Sequence, residues 1–367
     1  MKRYWNLREK MWTMENLYEA HRMARKDKRL YKEVQMVDGN PDYYLGKIRE
    51  MMLYGKYHIS PEDYSVSIIR DKTKQRELWK LKYYPHRIIQ WAVMLQIEKV
   101  FNRIFCTFVC ASIKCKWWNW VMHLMNKYMK DVEGTKYCLK LDIKKFYPSI
   151  NHRLLKKLLR KKFKDEKLLS LLDMIIDSFP WRKGLPIWSY LSQFLANYYL
   201  AFFDHWLKEE LKCKYVIRYM DDIVILGDNK KHLRYIYKRI KAYLWWNLCL
   251  QVKANWQIFP TWIRWIDFVG YRYFYGYTLL RKSTCKKFKR KVRQIKYKQD
   301  RGRPLTEREW AWINSYAWWL SRCDSWRLYE KYIQPYLPSI VWYYREFINE
   351  RKYVSFWKRI FKLKWKH

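Results

Sequence analysis

The pattern that organises the chain is a pair of short apolar runs, Val216-Ile217 and Ile223-Val224-Ile225-Leu226, flanking Arg218-Tyr219-Met220-Asp221-Asp222. β-Branched runs of this length read as strands and a polar pair between them as a tight turn, so the stretch predicts a hairpin with Asp221 and Asp222 at its tip. Lys140-Leu141-Asp142 predicts another strand, ending in a carboxylate, before the aromatic pair Phe146-Tyr147 and a helix beginning near Asn151. Upstream, helical composition covers 12–32 and 43–54, with Val37-Asp38-Gly39-Asn40-Pro41 as a break between them. Residues 65–69 and 76–79 predict an antiparallel pair around Asp71-Lys72-Thr73, and Pro85 opens a helix with an apolar stripe. Downstream, 154–179 reads as one or two helices, and Gly184-Leu185-Pro186 turns into a long helix. Residues 233–246 predict a basic amphipathic helix and 248–253 a short strand. A strand over 266–272 turns at Gly276 and returns through 278–280, and a strongly basic stretch over 281–298 follows. The breaker Asp300-Arg301-Gly302-Arg303-Pro304 precedes a helix opened by the capping box Thr306…Glu309, with two or three helices to the C-terminus. The class is α+β.

Composition narrows the partner. Half the residues are apolar and 20% aromatic, enough for a substantial core. Lys and Arg number 77 against 34 Asp and Glu, a formal net charge of +43. An excess of that size, interleaved with Tyr and Trp, points to a polyanion. Nucleic acid suits it better than a membrane surface, because rings stack on bases while cations meet phosphates. No apolar run approaches the ~18 residues of a membrane span, and Met1-Lys2-Arg3-Tyr4-Trp5-Asn6 leads into no apolar segment of a secretory signal. The 8 cysteines are scattered; Cys106, Cys110 and Cys115 match no common zinc spacing, which predicts free thiols in a reducing, cytoplasmic setting.

The adjacent carboxylates carry the chemistry. An ordinary surface turn is the plain alternative, since Asp is common in turns. Yet like charges side by side repel, the pair lacks the glycine that two-residue hairpins favour, and a divalent cation would turn the repulsion into a binding site. Tyr219-Met220-Asp221-Asp222 resembles the metal-binding tetrad of reverse transcriptases. Lys140-Leu141-Asp142-Ile143-Lys144-Lys145-Phe146-Tyr147-Pro148-Ser149 resembles their motif A, in the right order upstream. The resemblance implies that Asp142, Asp221 and Asp222, with Ile143 beside them, hold two Mg²⁺ ions (Mn²⁺ can substitute), roughly 3.5–4 Å apart in such sites. It also places Tyr147, next to Phe146, as the steric gate against a 2′-hydroxyl.

Further blocks follow the same order. Tyr84-Pro85-His86-Arg87-Ile88-Ile89-Gln90 resembles the first block, where a basic residue meets the incoming triphosphate, and Arg87 is the candidate. Ala111-Ser112-Ile113-Lys114-Cys115-Lys116-Trp117 stands at the second block; Lys114 and Lys116 keep its charge, while Cys115 and Trp117 replace glycines. Gly184 to Leu200 occupies motif B, with Ile187-Trp188 where most relatives carry Gln-Gly. Ile187 with Ser192-Gln193 is similar to the diversity-generating retroelement subclass, which copies a template-repeat RNA into DNA with frequent errors at adenine. Lys253 is a candidate acid for the leaving pyrophosphate. Tyr219 and Met220 on the hairpin, Phe268-Val269-Gly270-Tyr271, and the cations Lys286, Lys287, Lys289 and Arg290 are expected to contact primer and template.

Glycine is scarce, at 9 residues of 367, against about 7%, or roughly 26, in an average chain. Trp117, Trp188, Trp265 and Trp318, among 23 tryptophans, stand where the resemblance expects glycine. Three accounts are open: UGA codons read as glycine in the source, mutational decay, or adaptation. Adaptation is disfavoured where a tight turn needs angles only glycine reaches cheaply; UGA or UGG at these codons separates the first from the others.

The expectation is therefore a right-hand polymerase. An N-terminal extension and fingers would span 1–135, a ferredoxin-like palm of antiparallel sheet and helices 136–280, and a helical basic thumb and tail 281–367. Its reaction would be RNA-templated addition of deoxynucleoside triphosphates to a primer, giving cDNA, in a bacterial or phage-infected cell. A small basic accessory protein is an implied partner and a membrane is not. Retron, group II intron-like and phage-defence enzymes are alternatives, as is an idle RNA-binding protein on the same scaffold.

Overall fold

The computed structural model describes residues 3–71, 74–114, 116, 118–179, 182–187 and 189–336, and at 69–71, 74–76, 118, 307 and 336 the backbone alone. It divides into two compact units, Met1–Leu124 with Tyr137–Phe259, and Met125–Lys136 with Pro260–His367.

The first unit begins with helices Arg8–Met11, Met14–Ala24, Lys32–Gly39 and Pro41–Leu53. The expected break at 37–41 falls at Asn40, between Lys32–Gly39 and Pro41–Leu53, and the helix expected over 12–32 ends sooner, at Ala24, with a further break over 25–31. Asn40 then accepts from Tyr43 N–H and Pro41 takes the first helical position, so Asn-Pro opens a helix rather than a loop. Strands β1 (Tyr64–Asp71) and β2 (Lys74–Leu81) pair antiparallel, as expected; the turn at 72–73 lies outside the described residues. The turn Tyr83–Arg87 leads into helix Ile88–Ile104, whose buried stripe includes Ile89, Val93, Ile97 and Phe101.

The unit's sheet contains β3 (Tyr137–Asp142), β4 (Tyr215–Tyr219), β5 (Asp222–Gly227) and β6 (Gln257–Pro260), in the order β4-β5-β3-β6. β5 is central, and Ile223, Val224, Ile225 and Leu226 are all buried, so the strand is one unbroken apolar run rather than an alternating one. Each such side chain contributes about 1.5–3 kcal/mol on burial, which lets the sheet tolerate carboxylates at its end. Helix Lys230–Leu248 packs on β3 and β5 through Leu233, Ile236, Ile240 and Leu244. The strand expected at 248–253 is absent: the helix runs through Leu248, Cys249 closes it with a left-handed backbone, and Val252 makes a single bridge to Ile143. The edge strand beside β3 is β6 instead.

The second unit holds the antiparallel meander β7 (Ile266–Phe268), β8 (Tyr271–Tyr273) and β9 (Thr278–Leu280). The single strand expected over 266–272 is broken by a turn at Val269-Gly270, where φ is +44° and +86°. Helices Lys282–Gln299, Glu307–Leu320 and Trp326–Tyr332 follow. The capping box forms as expected, with the Thr306 hydroxyl and Glu309 N–H paired and the Glu309 carboxylate returning to Thr306 N–H. Phe288 is fully buried among Trp312, Tyr316 and Tyr332.

Candidate active site

β3 and β5 are neighbours, and their register sets Asp142 opposite Asp222. The β4–β5 ladder closes on Tyr219 opposite Asp222, so the loop consists of Met220 and Asp221. Asp222 is thus the first residue of a strand rather than part of the tip. Met220 takes the left-handed backbone that the first position of so short a loop requires, at φ +54°. Main-chain bonds hold the carboxylates together: Ile143 N–H donates to the Asp221 carbonyl at 3.2 Å, and Lys253 N–H to the Asp142 carbonyl at 2.8 Å.

Asp221 is pushed up to about 7, first by burial and then by the charge of Asp142, with Asp222 adding to it. Asp142 Oδ2 is ion-paired with the Lys253 ammonium, while its buried Oδ1 meets no hydrogen-bond donor. Among the described residues no three acidic, His or Cys side chains are gathered into a preformed metal cage. Lys253 serves as counter-cation instead. The donor set still fits a hard divalent cation, which takes oxygen ligands: repelling carboxylates, one of them with an orphaned buried oxygen.

Tyr147 lies half-buried against this turn, its hydroxyl donating to Met220 Sδ at 3.7 Å. Burial, then the Asp221 charge, raises its ionisation above the ordinary tyrosine range. Gly184-Leu185 is tied to the same segment: Gly184 N–H donates to the Ile150 carbonyl at 2.7 Å and Leu185 N–H to that of Tyr147 at 3.1 Å. From there helix Tyr190–Tyr199 carries Ser192, buried, and Gln193, half-buried, near its start.

Arg87 stands at the N-terminal end of Ile88–Ile104, half-buried, with its Nε unpartnered. It lines a cavity with Lys28, Lys32, Lys80, Trp91 and Tyr190, whose acid, Glu33, is taken by the N–H groups of Tyr83 and Tyr84. Burial lowers the Lys28 ammonium, and the Arg87 charge lowers it further. Cations crowded at a helix N-terminus, where the dipole already favours negative charge, make a place for an anion.

The model of the family described as reverse transcriptase (RNA-dependent DNA polymerase) matches residues 70–263, more than half of the chain. The chain belongs to the reverse transcriptase family. Members of the family so described are RNA-dependent DNA polymerases, and the mixed sheets and helices of this chain are consistent with their right-hand polymerase fold. Among solved structures, the telomerase from Candida albicans in complex with a TWJ fragment of telomeric RNA is similar at 12% identity and a TM-score of 0.46. The alignment covers 69% of this chain, which spans only 55% of that one. No curated protein matches the sequence.

In this reverse transcriptase the second-block cations lie on a loop, Lys114 exposed and Lys116 half-buried; Cys115 and Trp117 fall outside the described residues, as does Trp188 beside the half-buried Ile187. Phe146 is buried and rests edge-on to Tyr147. In the second unit Phe268 and Tyr271 are core side chains, leaving Val269-Gly270 at the turn between them. Lys286, Lys287 and Arg290 are exposed on helix Lys282–Gln299, opposite buried Val292 and Ile295; Lys289 lies over the Tyr332 ring. Trp265 and Trp318 correct the glycine argument at their positions: neither has a positive φ, and Trp318 is helical. The Trp265 ring lies under both Arg272 and Lys282. A turn of glycine-only angles therefore does not exist at either place. Sequence reasoning missed Arg218, fully buried and paired with Asp204, whose carboxyl burial pushes up against the pull of the guanidinium. The signal was present, a cation inside an apolar strand next to two acids.

Proposed function

We propose that Asp142, Asp221 and Asp222 are the catalytic carboxylates of RNA-templated DNA synthesis. The observation that carries this is the cross-strand register placing Asp142 opposite Asp222, with Asp221 one residue away in the loop. Two divalent cations, Mg²⁺ with Mn²⁺ as a substitute, held by these carboxylates and Ile143, would supply charge neutralisation at the attacking 3′-hydroxyl and the leaving pyrophosphate. Arg87, with Lys114 and Lys116, receives the triphosphate of the incoming deoxynucleotide. The Tyr147 ring, with Phe146 behind it, excludes a 2′-hydroxyl from the sugar site. Lys253 moves from Asp142 toward the pyrophosphate when the carboxylate is taken up elsewhere. Tyr219, Met220, the Val269-Gly270 turn with Phe268 and Tyr271 beneath it, and the basic face of Lys286, Lys287, Lys289 and Arg290 hold primer and template. Fingers, palm and thumb correspond in this proposal to 1–135, 136–280 and 281–367.

The test is primer extension on a primed RNA template. Asp142→Ala and Asp221→Ala are each expected to abolish extension while RNA binding stays nearly intact, because these groups supply metal charge and not affinity for the polyanion. DNA synthesis by either variant would remove the assignment.

A narrower proposal rests on Ile187 with Ser192-Gln193: a diversity-generating enzyme, error-prone at adenine, working with a template-repeat RNA and a small basic accessory protein. Ile187 withholds the hydrogen-bonding side chain that Gln presents to the nascent base pair, a contact of about 1–3 kcal/mol and hence roughly tenfold or more in discrimination. Ile187→Gln should lower misincorporation opposite template adenine, read by sequencing the cDNA. An unchanged adenine error rate leaves a generic reverse transcriptase.

A further inference from the structure

We infer that Arg218 is a positioning residue for the carboxylate turn: its buried guanidinium holds the Met220 carbonyl, and thereby Asp221, in place. The inference rests on Asp221 being one of the metal-holding carboxylates. Arg218 and Asp204 both have side chains without solvent exposure. Arg218 Nε donates to Asp204 Oδ1 at 2.7 Å and Nη2 to Asp204 Oδ2 at 2.5 Å. Its Nη1 donates to Asn197 Oδ1 at 3.1 Å and to the Met220 carbonyl at 3.0 Å. The Met220 carbonyl belongs to the loop, outside the β4–β5 ladder, and its residue holds the left-handed backbone that a methionine rarely adopts.

A buried ion pair adds little stability over two apolar residues of the same volume, and often less. Stability therefore does not account for this one. What an apolar pair cannot do is donate to the carbonyl immediately before Asp221. The planar fork also gathers two other elements, and the residue as a whole a third. Asp204 comes from helix Ala201–Glu209 and Asn197 from the helix that bears Gln193. Asn197 Nδ2 in turn donates to the Ala111 carbonyl at 2.8 Å, and the Arg218 main chain pairs with Phe108 and Cys110, so the loop leading to Lys114 is fixed to the same residue. A lysine ammonium could neutralise Asp204 but has no rigid fork to reach Asn197 and Met220 as well.

The experiment compares wild type, Arg218→Lys, the double variant Arg218→Met with Asp204→Leu, and Asp221→Ala. Each is measured for melting temperature, for hydrogen exchange of the metal-free protein across 216–227, and for kcat, KM and the Mg²⁺ concentration giving half-maximal primer extension. The double variant leaves no uncompensated buried charge, so it should fold and melt close to wild type. It should exchange faster at the Met220-Asp221 turn and lose kcat by about 10- to 100-fold, the scale of a misplaced reacting group. KM should change little, and half-maximal extension should need more Mg²⁺. Arg218→Lys should move the same way, and it carries the test alone if the double variant does not fold. Wild-type exchange and kcat in a folded variant would overturn the inference. Asp221→Ala separates the two levels: an active Asp221→Ala means that the carboxylate site itself is misassigned. An inactive one beside a fully active Arg218→Lys means that only the positioning role is wrong.

Discussion

At the scale of single residues, Asp221 sits in an environment set against its charge. Its folded value of about 7 lies above the ordinary 3.8 because burial and the neighbouring carboxylates disfavour ionisation. Folded protein thus keeps a proton that the unfolded chain has lost between these values, and stability falls wherever the folded state binds more protons as pH rises. The contribution is fully present below about pH 4 and lost as pH rises toward about 7. Without divalent cation, the melting temperature should therefore fall over that window more steeply than in Asp221→Asn, as followed by circular dichroism. Parallel profiles would mean the carboxyl is not perturbed. The neighbouring Tyr147 makes a second expectation. Truncation to alanine leaves a cavity beside the turn large enough for a hydroxyl, so Tyr147→Ala should incorporate riboguanosine triphosphate alongside its deoxy counterpart. An unchanged sugar preference places the gate elsewhere.

Among the elements, the β7–β8 hairpin has the sharpest local requirement. Its two-residue loop needs positive φ at both positions, which Gly270 supplies cheaply and Val269, a β-branched residue, does not. A Cβ at position 270 would also come within 2.7 Å of the Trp319 ring, which stacks on Tyr271. Gly270→Ala should cost about 2–4 kcal/mol, combining left-handed strain with overpacking. Val269→Asn should instead raise the melting temperature, since Asn tolerates the left-handed backbone. Thermal denaturation of both variants checks the turn, and equal effects would contradict it. The signal for this second turn was a slip in the alternation, which reading 266–272 as one strand passed over: Phe268 and Tyr271, three apart, are both buried, and a single strand would point them to opposite faces. The break expected over 37–41 shrinks to Asn40 because Asn-Pro is also a helix opener: the Asn40 side chain takes the cap bond from Tyr43 N–H and Pro41 begins the next helix.

Across the whole molecule, charge outweighs every other property. A net +43 on 367 residues self-repels unless a polyanion takes it up. No helix among the described residues is long and apolar enough to cross a membrane. RNA binding should then be steeply salt-dependent, with about ten phosphate contacts giving a slope near −7 of log K against log salt on a single strand. Fluorescence anisotropy across a salt series measures it; a slope near zero would leave the basic excess without its nucleic-acid role.

The hairpin, the strand ending in Asp142 and the capping box were legible in the sequence. Each depends on neighbours within a few residues, on strand composition, turn chemistry or helix capping, which a linear pattern can express. The register that sets Asp142 against Asp222 and the pairing of Asp142 with Lys253 were decided by tertiary structure. So was the burial of Arg218 against Asp204 and Asn197. These contacts join residues far apart in the chain. Whether a charge at such a position is solvated, paired or forced toward neutrality depends on what the sheet and helices bring beside it.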